Sequence, residues 1–190
     1  AQAIGDLEVE RPAPVLLSFK HDAPALAAVL GVLKAGHFYC ALDADSPLER
    51  NQAIVQALAP RVLLCDGANL QQSKKLPGGV IPVVNTDDLP AKTRAGFSPT
   101  RVSPAALAYV FFTSGTTGKP KGVMDSHRNV LHNVLRYTNT LHIDRDDRLT
   151  LLQTLNFSGS VSSLFCALLN GATVYPFDLR QESAGAVADG

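Results

Sequence analysis

The order of residues in this chain predicts an α/β fold built on a mostly parallel sheet with flanking helices. Three observations carry that expectation. Short apolar runs such as "PVLLSF" (14–19) and "RVLLCD" (61–66) lack polar alternation, as strands covered on both faces do. Between such runs lie stretches with helix start and stop signals. Strand and helix then alternate along the chain, the order that places parallel neighbours side by side through crossovers.

The elements follow in turn. Asp22 is placed to cap a helix with Pro24 in its first turn, and "ALAAVLGVLKAG" runs to Gly36 as the stop. "HFYCALD" reads as the next strand. Ser46-Pro47-Leu48-Glu49 has the form of a capping box opening a helix that Pro60 ends. "RVLLCD" and "VIPVV" are further strands, and the Gly-, Pro-, Lys- and Asp-rich stretch from Asp66 to Pro104 reads as loops with short elements. "ALAYVFFTS" is a buried strand. "RNVLHNVLRYTNTLHI" carries Val130, Val134, Leu135 and Leu141 at helical spacing, and "RLTLLQT" is a strand. Val161, Leu164, Phe165, Leu168 and Leu169 mark one face of a helix that Gly171 stops, before a last strand "ATVYPF".

The chain has 190 residues, of which 46% are hydrophobic and 18% charged, the balance of a globular domain. Lys plus Arg number 17 and Asp plus Glu 17, so no global field recruits nucleic acid or an anionic membrane. Cys40, Cys65 and Cys166 sit singly inside apolar runs and read as reduced, buried small hydrophobes, the pattern of a cytoplasmic protein. No signal peptide or long apolar span is expected. The chain starts at Ala1 without Met and ends in "SAGAVADG", which reads as a piece of something longer.

The most informative stretch is "FFTSGTTGKPKGV" (111–123). Gly115, Gly118 and Gly122 let the backbone approach a ligand closely. Successive N–H groups in such a turn form a nest for phosphate oxygens. Thr113, Ser114, Thr116 and Thr117 add hydroxyl donors, while Lys119 and Lys121 add charge, and charge-assisted bonds to phosphate are about twice as strong as neutral ones. A Walker loop is excluded: four residues separate its glycines and Ser or Thr follows its lysine, whereas here two residues separate Gly115 from Gly118, Pro120 follows Lys119 and "GVMDSH" reads as a strand. An RNA-clamping G-x-x-G module would need a basic groove and a smaller unit. A plain Gly-rich hairpin is the alternative without a ligand.

"YVFFTSGTTGKPKGV" resembles the phosphate-binding loop of the adenylate-forming enzymes: acyl-CoA synthetases, luciferases and the adenylation domains of nonribosomal peptide synthetases. "LKAGHFYCALDADSPLER" (33–50) and "NFSGSVSSLFCALLNGATV" (156–174) resemble two further adenylation-domain motifs in the right order, closest to the peptide-synthetase branch, and His127 falls where the family has a histidine. The resemblance covers about residues 14–179. It implies that residues 1–190 are a partial N-terminal, AMP-binding subdomain whose C-terminal parts are absent. It further implies ATP with Mg2+, a carboxylic acid activated as acyl-AMP with release of pyrophosphate, and CoA or a carrier-protein thiol as acceptor. Thr113, Ser114, Gly115, Thr116, Thr117, Gly118, Lys119 and Lys121 would grip the nucleotide phosphates, and Phe157 and Ser158 would face the acid. No residue in the chain matches the family's adenylation lysine or its acidic magnesium ligand.

Two departures qualify what is implied. Amino-acid-activating members carry Asp after the Phe of the third motif, where it pairs with the substrate's α-ammonium; here that position is Ser158. A hydroxyl cannot neutralise an ammonium, so an acid without a free α-amine is expected, and a role for Ser158 as a helix N-cap is compatible with that. The family's adenine-site motifs also have no counterpart, so the chain alone is expected to be inactive in adenylation. The alternative is a non-catalytic module serving in partner binding, and apolar surface left uncovered by truncation would allow a dimer. Asp43, Asp45, Glu49 and Arg50 are read as cap and dipole partners of a helix rather than as a catalytic cluster.

Overall fold

The computed structural model describes residues 1–76, 81–90, 97–113 and 120–180. Strands β1 (Pro14–Ser18), β2 (Phe38–Ala41), β3 (Val62–Cys65), β4 (Val83–Asn85), β5 (Leu107–Thr113) and β6 (Lys121–Ser126) form one sheet in the order β4-β3-β1-β2-β5-β6. All neighbours pair parallel except β5 and β6, which form an antiparallel hairpin. A second, parallel pair joins β7 (Arg148–Leu151) to β8 (Thr173–Pro176).

The continuous apolar runs have the predicted cause. Val15 and Leu17 of β1, Tyr39 and Ala41 of β2, and Val62 and Leu64 of β3 enter one core cluster. Their sequence neighbours Leu16, Cys40, Leu63 and Cys65 enter another on the opposite face. Side chains alternate along a strand, so a strand buried on both faces has no polar position left. Helices α2 (Ala23–Lys34), α5 (His127–Leu141) and α6 (Gly159–Asn170) contribute to the first cluster, and α3 (Leu48–Leu58) with α4 (Leu70–Ser73) to the second. A short helix α1 (Gln2–Gly5), absent from the sequence reading, buries Ile4 against the first cluster.

Helix ends follow the sequence signals unevenly. The Asp22 carboxylate accepts the Ala25 N–H at 3.4 Å, as a cap should. Gly36 (φ +82°) and Gly171 (φ +76°) each take the left-handed conformation behind α2 and α6. There the paired bonds Gly36 N–H to Leu33 O and His37 N–H to Val32 O close a Schellman turn, and Gly171 with Ala172 repeats it on Leu168 and Ala167. The capping box does not form. Pro47, extended at φ −50° and ψ 140°, itself occupies the N-cap of α3, and no side chain caps that helix. Ser46 therefore stands one residue too early to reach the first-turn N–H groups.

Three leucines also depart from their expected faces. Leu135 and Leu141 of α5 are both 61% exposed and Leu169 of α6 is 53% exposed, while Val130, Val134, Val161, Leu164 and Phe165 are buried as expected. The three cysteines are free and buried. Burial pushes the Cys40 thiol up to about 12, so it stays protonated and unreactive. Among the described residues no helix is long and apolar enough to cross a membrane.

Candidate functional site

A parallel sheet presents its ligand-binding crevice at the carboxyl ends of its strands. At the carboxyl ends of β2 and β5 the chain forms a cleft of about 610 Å³. Three parts of the chain build it. The end of β5 with the facing part of β6 supplies Phe111, Phe112, Thr113, Val123 and Asp125. The β2–α3 connection supplies Asp43, Ser46 and Pro47, with Arg50 from the first turn of α3. The segment entering α6 supplies Asn156, Phe157 and Ser158.

The hairpin positions the first of these walls. Thr113 faces Lys121 across the last rung of β5 and β6, and its hydroxyl donates to Lys121 O at 3.5 Å. Both residues are exposed, so the two ends of the Gly-rich stretch lie side by side beside the cleft. Ser114, Gly115, Thr116, Thr117, Gly118 and Lys119 lie outside the described residues. The antiparallel pairing of β5 with β6 is the hairpin expected of a Gly-rich connection without a ligand.

Beneath the cleft the hairpin is fixed by a polar clasp. The Tyr109 hydroxyl donates to Asp125 Oδ2 at 2.6 Å, and Asn129 Nδ2 donates to Asp125 Oδ1 at 2.5 Å. Burial, reinforced by the bond to the Asp125 carboxylate, raises the Tyr109 phenol above its ordinary range. Its ring stacks on Phe111 with centroids 4.3 Å apart, and Tyr39 packs against both. That aromatic group gives the cleft an apolar, rigid floor.

Phe157 is 60% exposed, so it lines the cleft and is not part of the core. Its carbonyl accepts the Ser160 hydroxyl at 2.6 Å, which fixes the turn entering α6. Ser158 occupies the N-cap position of that helix, yet its side chain makes no capping bond. The hydroxyl is thus free of a structural task and stands in the cleft lining.

Of the acidic residues near α3, Glu49 lies in the first turn as expected, whereas Asp43 and Asp45 differ. Asp43 and Asp45 cap nothing. Arg180 Nη1 reaches Asp43 Oδ1 at 3.2 Å and Asp45 Oδ2 at 2.6 Å, tying the end of the second sheet to the β2–α3 connection. The bond to Asp43 is foremost among the contacts that raise the Arg180 guanidinium above its ordinary value. His21 Nε2 makes a parallel tie, 2.6 Å from Leu151 O. His127 opens α5 with its N–H on Ala106 O, and burial lowers its imidazole below the ordinary value. Among the described residues no group of three or more His, Cys, Asp or Glu can hold a metal ion.

The cleft has an aromatic floor and opens beside Thr113 and Lys121, between which the Gly- and Lys-rich stretch runs. Residues 1–188 match the AMP-binding enzyme family, and the chain belongs to it. It is 36% identical over 157 residues to the cyclosporin synthetase of Tolypocladium inflatum, covering 80% of this chain and 1% of the synthetase. It is 32% identical over 177 residues to tyrocidine synthase 1 of Brevibacillus parabrevis, covering 92% of this chain and 16% of the synthase. Among solved structures, the nonribosomal peptide synthetase FmoA3 in its α-methyl-L-serine-AMP-bound form superposes with a TM-score of 0.81 at 30% identity. That superposition covers 93% of this chain and 20% of FmoA3. The chain therefore spans a small fraction of the relatives it matches.

Proposed function

We propose that the chain supplies the phosphate grip and part of the acid-holding cleft of an ATP-dependent adenylate-forming ligase. The observation that carries this reading is the meeting, in one cleft, of Thr113, where the Gly-rich stretch begins, with Phe157 and Ser158. Two motifs that lie more than 40 residues apart in sequence thereby serve one ligand. Family membership and the AMP-containing relative support ATP as the nucleotide.

In the proposed reaction a carboxylate oxygen of the acid attacks the α-phosphorus of ATP. The bond from that phosphorus to the bridging oxygen breaks, and pyrophosphate leaves with the negative charge. Lys119, Lys121 and the hydroxyls from Thr113 to Thr117 hold the departing phosphates, so catalysis here is mainly positioning and charge neutralisation. Phe111, Phe112 and Phe157 exclude water from the acyl side. A thiol of CoA or a carrier protein then attacks the acyl carbon, forming the thioester as the acyl–oxygen bond to AMP breaks and AMP and the thiol proton leave. Mg2+ would neutralise phosphate charge in such a reaction, and among the described residues no group of three or more His, Cys, Asp or Glu could hold it without the nucleotide.

Ser158 supports an acid without a free α-amine, because its hydroxyl cannot neutralise an ammonium brought beside it. The chain alone is proposed to be inactive, since the family's adenine-site motifs have no match in it. Pyrophosphate exchange by the parent enzyme across a panel of acids tests these statements. The best response should come from an aryl, acyl or keto acid; a best response to an ordinary α-amino acid would refute the substrate reading. Robust exchange by the 190-residue chain itself would refute the proposed inactivity.

A further inference from the structure

The charges of the cleft are unevenly committed. Its described lining contains three charged side chains, Asp43, Arg50 and Asp125. Asp43 is taken by Arg180, and Asp125 by Tyr109 and Asn129. The guanidinium of Arg50 makes no ion pair or hydrogen bond with any described residue. Arg50 is thus the one cation in the described lining, and it has no ionic partner there.

We propose that Arg50 determines specificity by pairing with a carboxylate of the bound acid, while Phe111, Phe112 and Phe157 hold the apolar body. The proposal rests on the acid-activating reading above and names the group that recognises the acid. An ionised acid entering this cleft brings a charge that is costly to desolvate unless it is paired. Asp43 is paired with Arg180 and both Asp125 oxygens accept hydrogen bonds, so neither carboxylate is paired with Arg50. The acid-activating reading assigns Lys119 and Lys121 to the phosphates, and Arg50 is the only cation in the described lining of the cleft. A guanidinium also fits the task geometrically, because its planar fork matches a carboxylate with two parallel bonds. Arg50 and Ser158 then act together: one attracts the carboxylate, and the other withholds the partner an α-ammonium would need.

The test is a titration of the 15N-labelled 190-residue chain with benzoate, phthalate, benzylamine and pyrophosphate, in wild type, Arg50→Gln and Arg50→Lys. Benzoate is expected to shift the Arg50 Nε–H signal and the amides of Phe157 and Ser158. Arg50→Gln should weaken benzoate about tenfold or more, the loss of a charge-assisted pair. Arg50→Lys should recover part of that loss, and pyrophosphate affinity should stay within about twofold. Arg50 is exposed, so the unfolding midpoint should not move. An advantage of phthalate over benzoate that Arg50→Gln abolishes assigns the pairing to a second carboxylate; equal losses assign it to the carboxylate both share. Benzoate affinity unchanged in Arg50→Gln, no benzoate binding at all, benzylamine binding tighter than benzoate, or an equal loss of pyrophosphate affinity would each overturn the proposal. Carboxylate binding through Arg50 without any pyrophosphate binding would sustain it and contradict the adenylate-forming reading instead.

Discussion

Replacing Tyr109 with Phe removes one oxygen and leaves the packing in place. The ring is 5% exposed and stacks on Phe111 at 4.3 Å, contacts that a phenylalanine keeps. What is lost is the 2.6 Å bond to the Asp125 carboxylate, which ties β5 to β6 below the start of the Gly-rich stretch. A hydrogen bond to a charged group contributes about 1.5–3 kcal/mol. Asp125 is half-buried and keeps Asn129, so water and that amide compensate in part, and the lower end, about 1.5–2 kcal/mol, is expected. For a chain of this size that lowers the melting temperature by roughly 3–8 °C. Urea denaturation of Tyr109→Phe, Asp125→Ala and the double variant isolates the pair, because the Asn129 contact is lost in both variants that lack Asp125. A coupling of about 1–2 kcal/mol is expected. A coupling below about 0.3 kcal/mol would show that the clasp does not hold the hairpin, within the usual error of additivity.

Three further perturbations probe other parts of the account. His37 is 1% exposed, and its Nδ1 accepts the Ala13 N–H at 3.2 Å, which a protonated ring could not do. Burial foremost, then the Arg11 charge, lowers its imidazole, so the unfolded chain takes the proton first on acidification. Stability is then intact above about pH 6.5 and falls as pH drops through the folded value, by at most about 1.4 kcal/mol per pH unit. His37→Gln, which keeps an acceptor, should flatten that slope between pH 7 and 5 in denaturant titrations; an unchanged slope would contradict the assignment. Ser158→Asp places a carboxylate in the cleft and should reverse the preference from benzoate toward benzylamine, read by the same binding titration, with a change of about tenfold for a paired charge. Gly171→Ala has space, its added carbon lying 3.6 Å from Arg145 Cβ, but forces alanine to φ +76°. A loss of about 1 kcal/mol in urea denaturation is expected from that backbone strain.

Much of this fold is legible in the sequence because its signals are local. Asp22, Gly36 and Gly171 act within one turn of their own helices, and the unbroken apolar runs of β1 and β3 need no knowledge of what covers them. Errors arise where a neighbour decides. The spacing of Leu135, Leu141 and Leu169 marks a helical face, yet spacing does not say which element packs against it. The Ser46–Glu49 pattern has the residues of a capping box, but extended Pro47 shifts the helix start by one position. The candidate site divides in the same way. The motifs around Thr113 and Phe157 can be read from sequence, whereas their sharing of a cleft depends on how α6 meets the end of β5. Arg50 reads locally as a charge in a helix's first turn. Its significance lies in the partners taken by Asp43 and Asp125, and Arg180 and Asn129 carry no sequence mark of those pairings.

The most direct test of the account is acid-dependent exchange of pyrophosphate into ATP by the parent enzyme, measured with Lys119→Ala and Lys121→Ala alongside. Exchange should require an acid lacking a free α-amine and fall in both lysine variants. Steady phosphate release without any acid, and no acid-dependent exchange, would contradict it.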